Sequence, residues 1–298
     1  MLKPWIFGKP KGPGFSISSA YYLSVLAPTA VLPSITQIVK PKPSHGEVEG
    51  FGVPLGKGID ASAIDLPMAR GVYGIASPDR KTVLKLLVLN RDETPFDPEA
   101  VAKSALALDL SPELIARIRG TWFMLQFAFE SYDPEVYPAV RFLLQIVRRA
   151  GVLCDGAVAD PVSQRYDLPE NYLLHGTTDF AVDVRDVVSI RHRQTSVGWH
   201  FFTFGLQKFD LPEVEVQGCQ SFDQPAAGAL LLGLGQQMLK GIKVEPGGAA
   251  GAKSSPFSIR VGGLDRGHWE GISVLELIPQ ATQTSSDSLA IWLQEQSN

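Results

Sequence analysis

Residues 121–129 (Thr-Trp-Phe-Met-Leu-Gln-Phe-Ala-Phe) are apolar on nearly every side of the chain. A strand with one face in water alternates apolar and polar residues, whereas a strand covered on both faces is almost continuously apolar. The run therefore predicts a central strand with other layers on each side. Because 45% of the 298 residues are hydrophobic and 19% are charged, the chain has enough apolar material to build a core around it.

A β-hairpin is predicted upstream of this strand. Residues 71–76 and 82–89 are short runs rich in β-forming side chains, and residues 77–80 (Ser-Pro-Asp-Arg) lie between them. Proline is suited to the second position of a turn. The two runs are therefore expected to pair as neighbouring strands.

Three helices are predicted to begin at Asp97, Ser111 and Asp133, each of which is followed by Pro-Glu. The short side chain can cap free N–H groups, proline fits the first helical position, and glutamate lies at the positive end of the helix dipole. Gly120 and Gly151 are placed to end the second and third of these helices. Residues 151–158 would then form the next strand.

A second set of elements is predicted from residue 180 onward. Residues 225–242 form an apolar helix that contains Gly228, Gly233 and Gly235. Because each interior glycine costs roughly 1 kcal/mol relative to alanine, we expect this helix to lie close against a sheet. The segments with strand character are residues 180–192, 199–206, 213–216, 256–261 and 269–278.

These patterns predict an α+β fold of two linked modules, each a mainly antiparallel sheet covered by helices. The predicted divisions are an irregular, Pro/Gly-rich N-terminal arm over residues 1–70, a first module over 71–178, a second over 179–280 and a C-terminal tail over 281–298. The tail ends in a short predicted helix near residues 289–293.

The beginning of the chain has the rough shape of a secretory signal. Three lysines precede the apolar residues 20–27, but Pro28 and Pro33 interrupt the stretch, which is too short for a membrane span of about 20 residues. We therefore expect an irregular arm or edge strand here and no membrane span. A cytoplasmic location is expected, with export as the alternative if residues 1–30 act as a signal.

Charge and cysteine content narrow the function classes. The net charge of −4 argues against a general nucleic-acid-binding protein, which usually carries a strongly basic face. Two cysteines, Cys154 and Cys219, are typical of buried thiols in a cytosolic protein. No zinc, phosphate-loop or nucleophile-elbow motif occurs, so no metal and no cofactor are expected.

Residues 203–215 (Thr-Phe-Gly-Leu-Gln-Lys-Phe-Asp-Leu-Pro-Glu-Val-Glu) carry a recognisable marker. The segment resembles T-x-G-L-x-x-F-x-x-P-E-V-E, found in a bacterial family of domains of unknown function. The resemblance covers roughly residues 120–280, and the chain departs from the pattern at Asp210, where the family usually has glycine. It implies an apolar helix, a glycine-rich loop and a strand pair after the marker, and it brings no assigned activity or catalytic residue.

The most prominent polar cluster falls on neighbouring predicted strands around this marker. One hypothesis is an enzyme of unknown reaction, with a hydrolase as one option, in which His200 is acid or base and Glu213 or Glu215 orients it. The alternative for these residues is structural, with a hydrogen-bonded histidine inside a sheet and Glu–Arg pairs on its solvent face. The candidate binding residues are Arg191, His192, Arg193, Trp199 and Thr203.

Weaker combinations are also present in the sequence. His192 and His200 with a glutamate have donor types that bind metals, but their spacing matches no known signature. Cys154 and Asp155 with His175 are a conceivable nucleophile group, although the apolar context of Cys154 favours simple packing.

The absence of a catalytic motif, together with tryptophan and arginine near a predicted sheet face, favours a non-enzymatic binding or scaffold protein. Another protein is its expected partner, and the sequence indicates no oligomeric state. The enzyme centred on His200 is the alternative.

Overall fold

The computed structural model describes residues 14–40, 49–53, 64–131, 135–172, 175–262, 269–280 and 282–297. Its strands are β1 (Tyr22–Ala27), β2 (Phe51–Val53), β3 (Gly71–Ala76), β4 (Val83–Asn90), β5 (Phe123–Phe129), β6 (Ala157–Asp160), β7 (Arg165–Asp167), β8 (Ser189–Thr195), β9 (Gly198–Phe204), β10 (Glu213–Cys219), β11 (Ala249–Gly251), β12 (Pro256–Val261) and β13 (Val274–Ile278). Its helices are α1 (Ile35–Val39), α2 (Pro98–Lys103), α3 (Pro112–Arg119), α4 (Val136–Leu153), α5 (Val184–Val187), α6 (Gln224–Leu239) and α7 (Ser285–Ser297). The predicted α+β fold with two mainly antiparallel sheets is confirmed.

The first sheet has seven strands in the order β2-β3-β4-β5-β1-β6-β7, and every pairing in it is antiparallel. β5 is central, as its continuously apolar sequence predicts, and Leu125 and Phe127 are fully buried. The β3–β4 hairpin is also confirmed, with Ala76 opposite Val83 across the turn.

The N-terminal region takes part in this sheet, so the prediction of an irregular arm over residues 1–70 is wrong for its described part. β1 lies between β5 and β6, with Ser24 paired to Gln126 on one side and to Ala159 on the other. Apolar residues on both faces of β1 suit this covered position. Ser34 then caps α1 in a capping box with Gln37.

Helix capping in the first module follows the sequence closely at two of three sites. Asp97 caps α2, and Ser111 caps α3, which ends at Gly120 as predicted. The predicted start of the third helix at Asp133 lies outside the described residues. Gly151 does not end α4, because the helix continues to Leu153. The left-handed residue after it is Asp155, with φ of 49°, so β6 begins later than predicted.

The second sheet has six strands in the order β11-β12-β13-β10-β9-β8. Its one parallel pairing joins β10 to β13, and α6 supplies the long crossover that a parallel pair requires. The predicted strand over residues 180–192 is wrong in its first half, where Asp183 caps the single turn of α5. Residues 249–251 form β11 between the predicted helix and the predicted strand over residues 256–261. The strand predicted over residues 269–278 begins later, so Trp269 precedes β13.

Helix α6 packs on β9 and β10, as expected, but two of its glycines do not make that contact. A β-carbon placed on Gly228 or Gly233 would meet nothing within 4 Å. Only Gly235 packs closely, since its β-carbon would lie 3.1 Å from Val184 Cγ2. The inference that all three glycines lie against a sheet is therefore wrong.

Side chains from both sheets belong to one continuous hydrophobic core, which includes Val25 of β1, Phe201 of β9 and Leu231 of α6. Polar contacts also link the two halves: the Tyr137 hydroxyl donates to the Leu239 carbonyl at 2.9 Å. Among the described helices, none combines the length and apolar character that crossing a membrane requires.

Candidate functional site

The β8–β9 hairpin separates the candidate residues of the sequence into different environments. Adjacent residues on a strand point to opposite faces. Cross-strand pairing then brings Arg193 opposite His200 and Gln194 opposite Trp199. The candidates consequently form a buried histidine cluster, a buried glutamate corner, an aromatic pair at the surface and one wall of a cleft.

The buried histidine cluster joins three consecutive strands. His200 Nε2 lies 2.8 Å from Glu215 Oε2, and the Arg193 Nε donates to His200 Nδ1 at 3.2 Å. The Trp269 indole donates to the same Glu215 oxygen at 2.7 Å. Because Arg193 donates to Nδ1, the network assigns the histidine proton to Nε2, which donates to the carboxylate.

No part of the His200 or Glu215 side chain is exposed, at 0% each. Phe202 packs beside the imidazole, Trp269 packs edge-on against Phe202, and a β-carbon on Gly262 would lie 3.0 Å from Glu215 Oε1. An acid or base must reach the proton that it transfers. The arrangement therefore has the pairing that the enzyme hypothesis requires, but it is closed to a substrate.

Glu213 forms a separate buried corner between β9 and β10. Its Oε2 accepts a hydrogen bond from Thr203 Oγ1 at 2.7 Å, and its Oε1 accepts from the backbone N–H of Gly205 at 2.8 Å and of Gln207 at 3.1 Å. Burial raises the pKa of Glu213, and these hydrogen bonds oppose the shift. Glu213 and Thr203 thus hold the chain as it turns through the 3₁₀ helix Leu206–Phe209.

Two residues of the same corner have left-handed backbone. Gly205 has φ of 129°, and a β-carbon there would lie only 2.4 Å from the Val187 carbonyl oxygen. Asp210 has φ of 52°, a conformation that glycine adopts freely and aspartate tolerates. Aspartate at the position where the resembled family usually has glycine is therefore compatible with this turn.

The aromatic pair at the surface consists of the exposed His192 and the partly buried Trp199, whose ring centroids lie 5.3 Å apart. His192 is exposed and His200 is buried, and they alternate across the β8–β9 ladder, so the two imidazoles do not converge on a shared metal. Within the described ranges, no group of three or more metal-ligating side chains is present.

The conceivable nucleophile group does not assemble. Burial raises the pKa of the Cys154 thiol to about 12, so the thiol is not activated. Asp155 pairs with Arg117 at 3.0 Å, and His175 Nδ1 lies 3.3 Å from Asp186 Oδ1. Each proposed member therefore contacts a different partner.

A cleft of about 400 Å³ lies between the two sheets, where the last strand of each sheet contributes to its walls. This volume is within the range of small-ligand sites, roughly 300–1,000 Å³. The lining residues are Leu106, Asp109, Leu110, Gln164, Arg165, Tyr166, Arg185, Val188, Ser189, Ile190, Arg191 and Leu232. Three arginines and one aspartate are in this set.

Two of the three arginines are paired with a carboxylate of their own. Arg185 forms a salt bridge with Asp183 at 2.7 Å, and Arg165 binds Asp167 through its Nε. Arg165 also donates from Nη1 to the Arg185 carbonyl oxygen at 2.7 Å. These contacts hold both guanidinium groups in place at the cleft.

Arg191 is held differently. Its Nη2 donates to the Gln164 carbonyl oxygen, and its buried Nε has no hydrogen-bond partner in the part of the chain that the structure describes. Burial lowers the pKa of Arg191 and the nearby Asp109 opposes that shift, but an arginine stays charged at neutral pH. Arg191 therefore places a charged, incompletely satisfied donor in the cleft.

A buried ion pair that the sequence analysis missed lies behind this cleft. Lys208 Nζ contacts Asp160 Oδ2 at 2.5 Å and donates to Ser163 Oγ at 2.7 Å, which ties the second sheet to the first. Burial lowers the pKa of Lys208, and Asp160 opposes the shift. Ser163 is fully buried, and its hydroxyl lies 2.8 Å from Asp160 Oδ2 and 3.0 Å from the Val187 carbonyl oxygen, to one of which it donates.

Sequence reasoning found Arg191 but missed Arg165 and Arg185, which join it in the cleft. Their shared signal is an arginine two residues away from an aspartate, which is too common in proteins to identify a site. Lys208 lies inside the marker segment, and nothing in the sequence signals its burial, since lysine is rarely fully buried.

Comparisons of the chain with protein-family models, with curated proteins and with solved structures found no match. The resemblance of residues 203–215 to a bacterial domain family therefore stays a prediction.

Proposed function

We propose that this protein is a non-enzymatic binding protein and that the cleft between β7 and β8 holds an anionic group of its ligand. The observation that carries the proposal is Arg191, a partly buried cation whose Nε has no partner among the described residues. An unsatisfied buried donor costs about 1–3 kcal/mol, and a ligand oxygen recovers that cost if the Arg191 side chain turns its Nε into the cleft on binding. Arginine binds carboxylates and phosphates well because its planar group presents several donors.

The surroundings of Arg191 support the same proposal. Arg165 and Arg185 bring two further guanidinium groups to the cleft, each held by an aspartate of its own. Leu106, Leu110 and other apolar side chains line the rest of the cleft, which lowers the local dielectric and strengthens ionic contacts. A few fixed charges in an apolar concavity are typical of ligand sites.

The enzyme hypothesis centred on His200 keeps one supporting observation, the 2.8 Å contact with Glu215. The burial of both side chains counts against it, because a substrate has no route to the imidazole in this conformation. In the cleft itself, the lining contains arginines, aspartate, tyrosine and serine but no histidine or cysteine. We therefore favour binding over catalysis.

We further propose that the protein acts in the cytoplasm. Cys154 and Cys219 are both free and buried, and unpaired thiols are typical of a reducing compartment. The apolar segment over residues 20–27, which has the rough shape of a secretory signal, supplies β1 in the interior of the first sheet. A segment that is built into the fold supports a cytoplasmic location.

Citrate is a suitable probe for the cleft, and its binding can be followed by isothermal titration calorimetry at constant ionic strength. We expect one citrate per chain and a loss of most of the binding heat in Arg191→Gln. At ten times its dissociation constant, citrate would stabilise the folded protein against urea by about 1.4 kcal/mol. The matched control is Arg260→Gln on β12, which removes an exposed arginine outside the cleft and should bind citrate normally.

Arg185→Gln provides a second variant in case Arg191→Gln disturbs the fold. The Arg185 side chain is more than half exposed, so its removal should leave the circular dichroism spectrum unchanged and weaken citrate binding. The proposal is wrong if citrate does not bind, or if it binds the two cleft variants as tightly as the parent protein.

A further inference from the structure

We infer that the ligand of this cleft is an extended acidic peptide that adds an antiparallel strand to the free edge of β8. This inference rests on the proposed function, since it names the chemistry of the ligand for the same cleft. β-strand addition is an established mode of peptide recognition, in which backbone hydrogen bonds give affinity and alternate side chains give specificity.

The first argument is the position of β8 in its sheet. β8 is the last strand of the second sheet, and β7 is the last strand of the first sheet. Both strands line the cleft, through Ser189, Ile190 and Arg191 of β8 and through Arg165 and Tyr166 of β7. An edge strand presents unpaired backbone groups, so the cleft has an open hydrogen-bonding edge along one wall.

The second argument is the register of the β8–β9 hairpin. Thr195 pairs with Gly198 across a two-residue turn, and the residues that flank such a turn exchange hydrogen bonds. Hydrogen-bonded and non-hydrogen-bonded pairs then alternate along the ladder. The N–H and C=O groups of Ile190, His192 and Gln194 therefore point away from β9, toward the free edge.

Those outward backbone groups are available to an added strand. Side-chain hydrogen bonds and loop contacts in the described residues involve none of the backbone atoms of Ile190, His192 or Gln194. A peptide strand lying about 4.8 Å from β8 would satisfy them in the usual antiparallel geometry.

The third argument is the side chains that such a strand would meet. Arg191 and Ile190 project to opposite faces of β8. A peptide residue opposite Arg191 has its β-carbon about 4.5–5.5 Å away on the same face, which suits a glutamate. The residue opposite Ile190 lies on the face of Leu232 and the main core, which suits valine.

Charge also selects the occupant of this edge. Arg191 gives the edge a positive charge, so a second copy of the same edge would be repelled, whereas an acidic strand is attracted. An alternating acidic and apolar strand therefore fits both faces of β8 better than a neutral strand or another copy of β8.

The probe is the fluorescein-labelled peptide Glu-Val-Glu-Val-Glu-Val, with binding measured by fluorescence anisotropy. In the proposed register the valine N–H groups point to β8 and the glutamate N–H groups point away from it. N-methylation of the three valines should weaken binding at least about tenfold. N-methylation of the three glutamates is the matched control, since it adds the same number of methyl groups and should retain binding. Replacing the glutamates by glutamine should also weaken binding about tenfold or more.

Two protein variants test the same geometry from the other side. His192→Pro removes an outward N–H on an edge strand, where proline is tolerated, so it should weaken peptide binding and leave citrate binding intact. Arg191→Gln should weaken both. If citrate binds but the peptide does not, or if both N-methylated peptides bind equally well, the peptide inference is wrong and the proposed function stands. If neither citrate nor the peptide binds, both proposals fail.

Discussion

Two glycines inside α6 can be replaced by alanine to stabilise the protein. Gly228 and Gly233 lie in a 16-residue helix, and a β-carbon on either would meet nothing within 4 Å. Alanine is better than glycine in a helix interior by about 0.8–1.0 kcal/mol. The two sites share no contact, so their effects should add, and the double variant should gain about 2 kcal/mol in free energy of unfolding.

Gly151 in α4 provides the matched comparison. Its replacement by alanine gives the same gain in helix propensity, but the new β-carbon would enter a crowded site. Its β-carbon would lie 2.6 Å from Cγ and 3.0 Å from Cβ of Pro169. The proline ring is rigid, and overpacking of this kind costs about 1–3 kcal/mol or more. Gly151→Ala should therefore lower the free energy of unfolding, although glycine is nominally the poorer helix residue.

Urea unfolding followed by circular dichroism measures all three variants, with thermal unfolding as a second readout. Unfolding entropy of about 2.1 cal/mol/K per residue means that 1 kcal/mol shifts Tm by about 2 °C in a chain of this length. A neutral or destabilising effect of Gly228→Ala or Gly233→Ala would show that this face of α6 is covered, and would refute the argument. So would a stabilising Gly151→Ala.

Two further predictions concern buried charges. Lys208→Met should lower the free energy of unfolding, measured in urea, by about 3–5 kcal/mol, because it leaves the Asp160 carboxylate buried without its cation. The control Lys243→Met removes an exposed lysine and should change the free energy of unfolding little. Equal effects of the two variants would exclude the ion pair as a stabilising contact. Burial raises the pKa of Glu213 in the folded state above its ordinary value of 4.5. Between pH 4.5 and the raised pKa, the folded state therefore binds more protons than the unfolded state. The stability that this protonation gives is lost as the pH rises through the raised pKa. The stability of the parent protein relative to Glu213→Gln should therefore fall as the pH rises above about 4.5 and through the raised pKa, and a difference that rises with pH would contradict the buried placement of Glu213.

The elements that sequence reasoning predicted correctly are those whose signals are local. The caps of α2 and α3 depend on Asp97, Ser111 and the prolines that follow them, all within one helical turn. β5 was predicted from nine consecutive residues, and the β3–β4 hairpin from two runs and the turn between them. Each signal is complete within one short segment of the chain, so no tertiary contact is needed to interpret it.

The elements that sequence reasoning missed depend on contacts with residues far away in the sequence. β1 has the composition of an edge strand or a signal segment, and only its pairing with β5, about a hundred residues away, makes it central. The parallel pairing of β10 with β13 likewise depends on the crossover through α6. For the candidate site, strand alternation alone separates His192 from His200, but the convergence of Arg165 and Arg185 on Arg191 requires the two sheets to meet.

The marker of residues 203–215 has a structural explanation in this chain. Thr203 and Glu213 bind each other, Glu213 caps the turn through the N–H of Gly205, and Gly205 occupies a backbone position where a β-carbon would collide with Val187. Lys208 anchors the same turn to the first sheet. These four residues are occupied in holding the corner together, and none of them lines the cleft. In this chain the marker segment therefore serves to join the two sheets, and the proposed ligand site lies outside it, where Arg191 is the first residue to test.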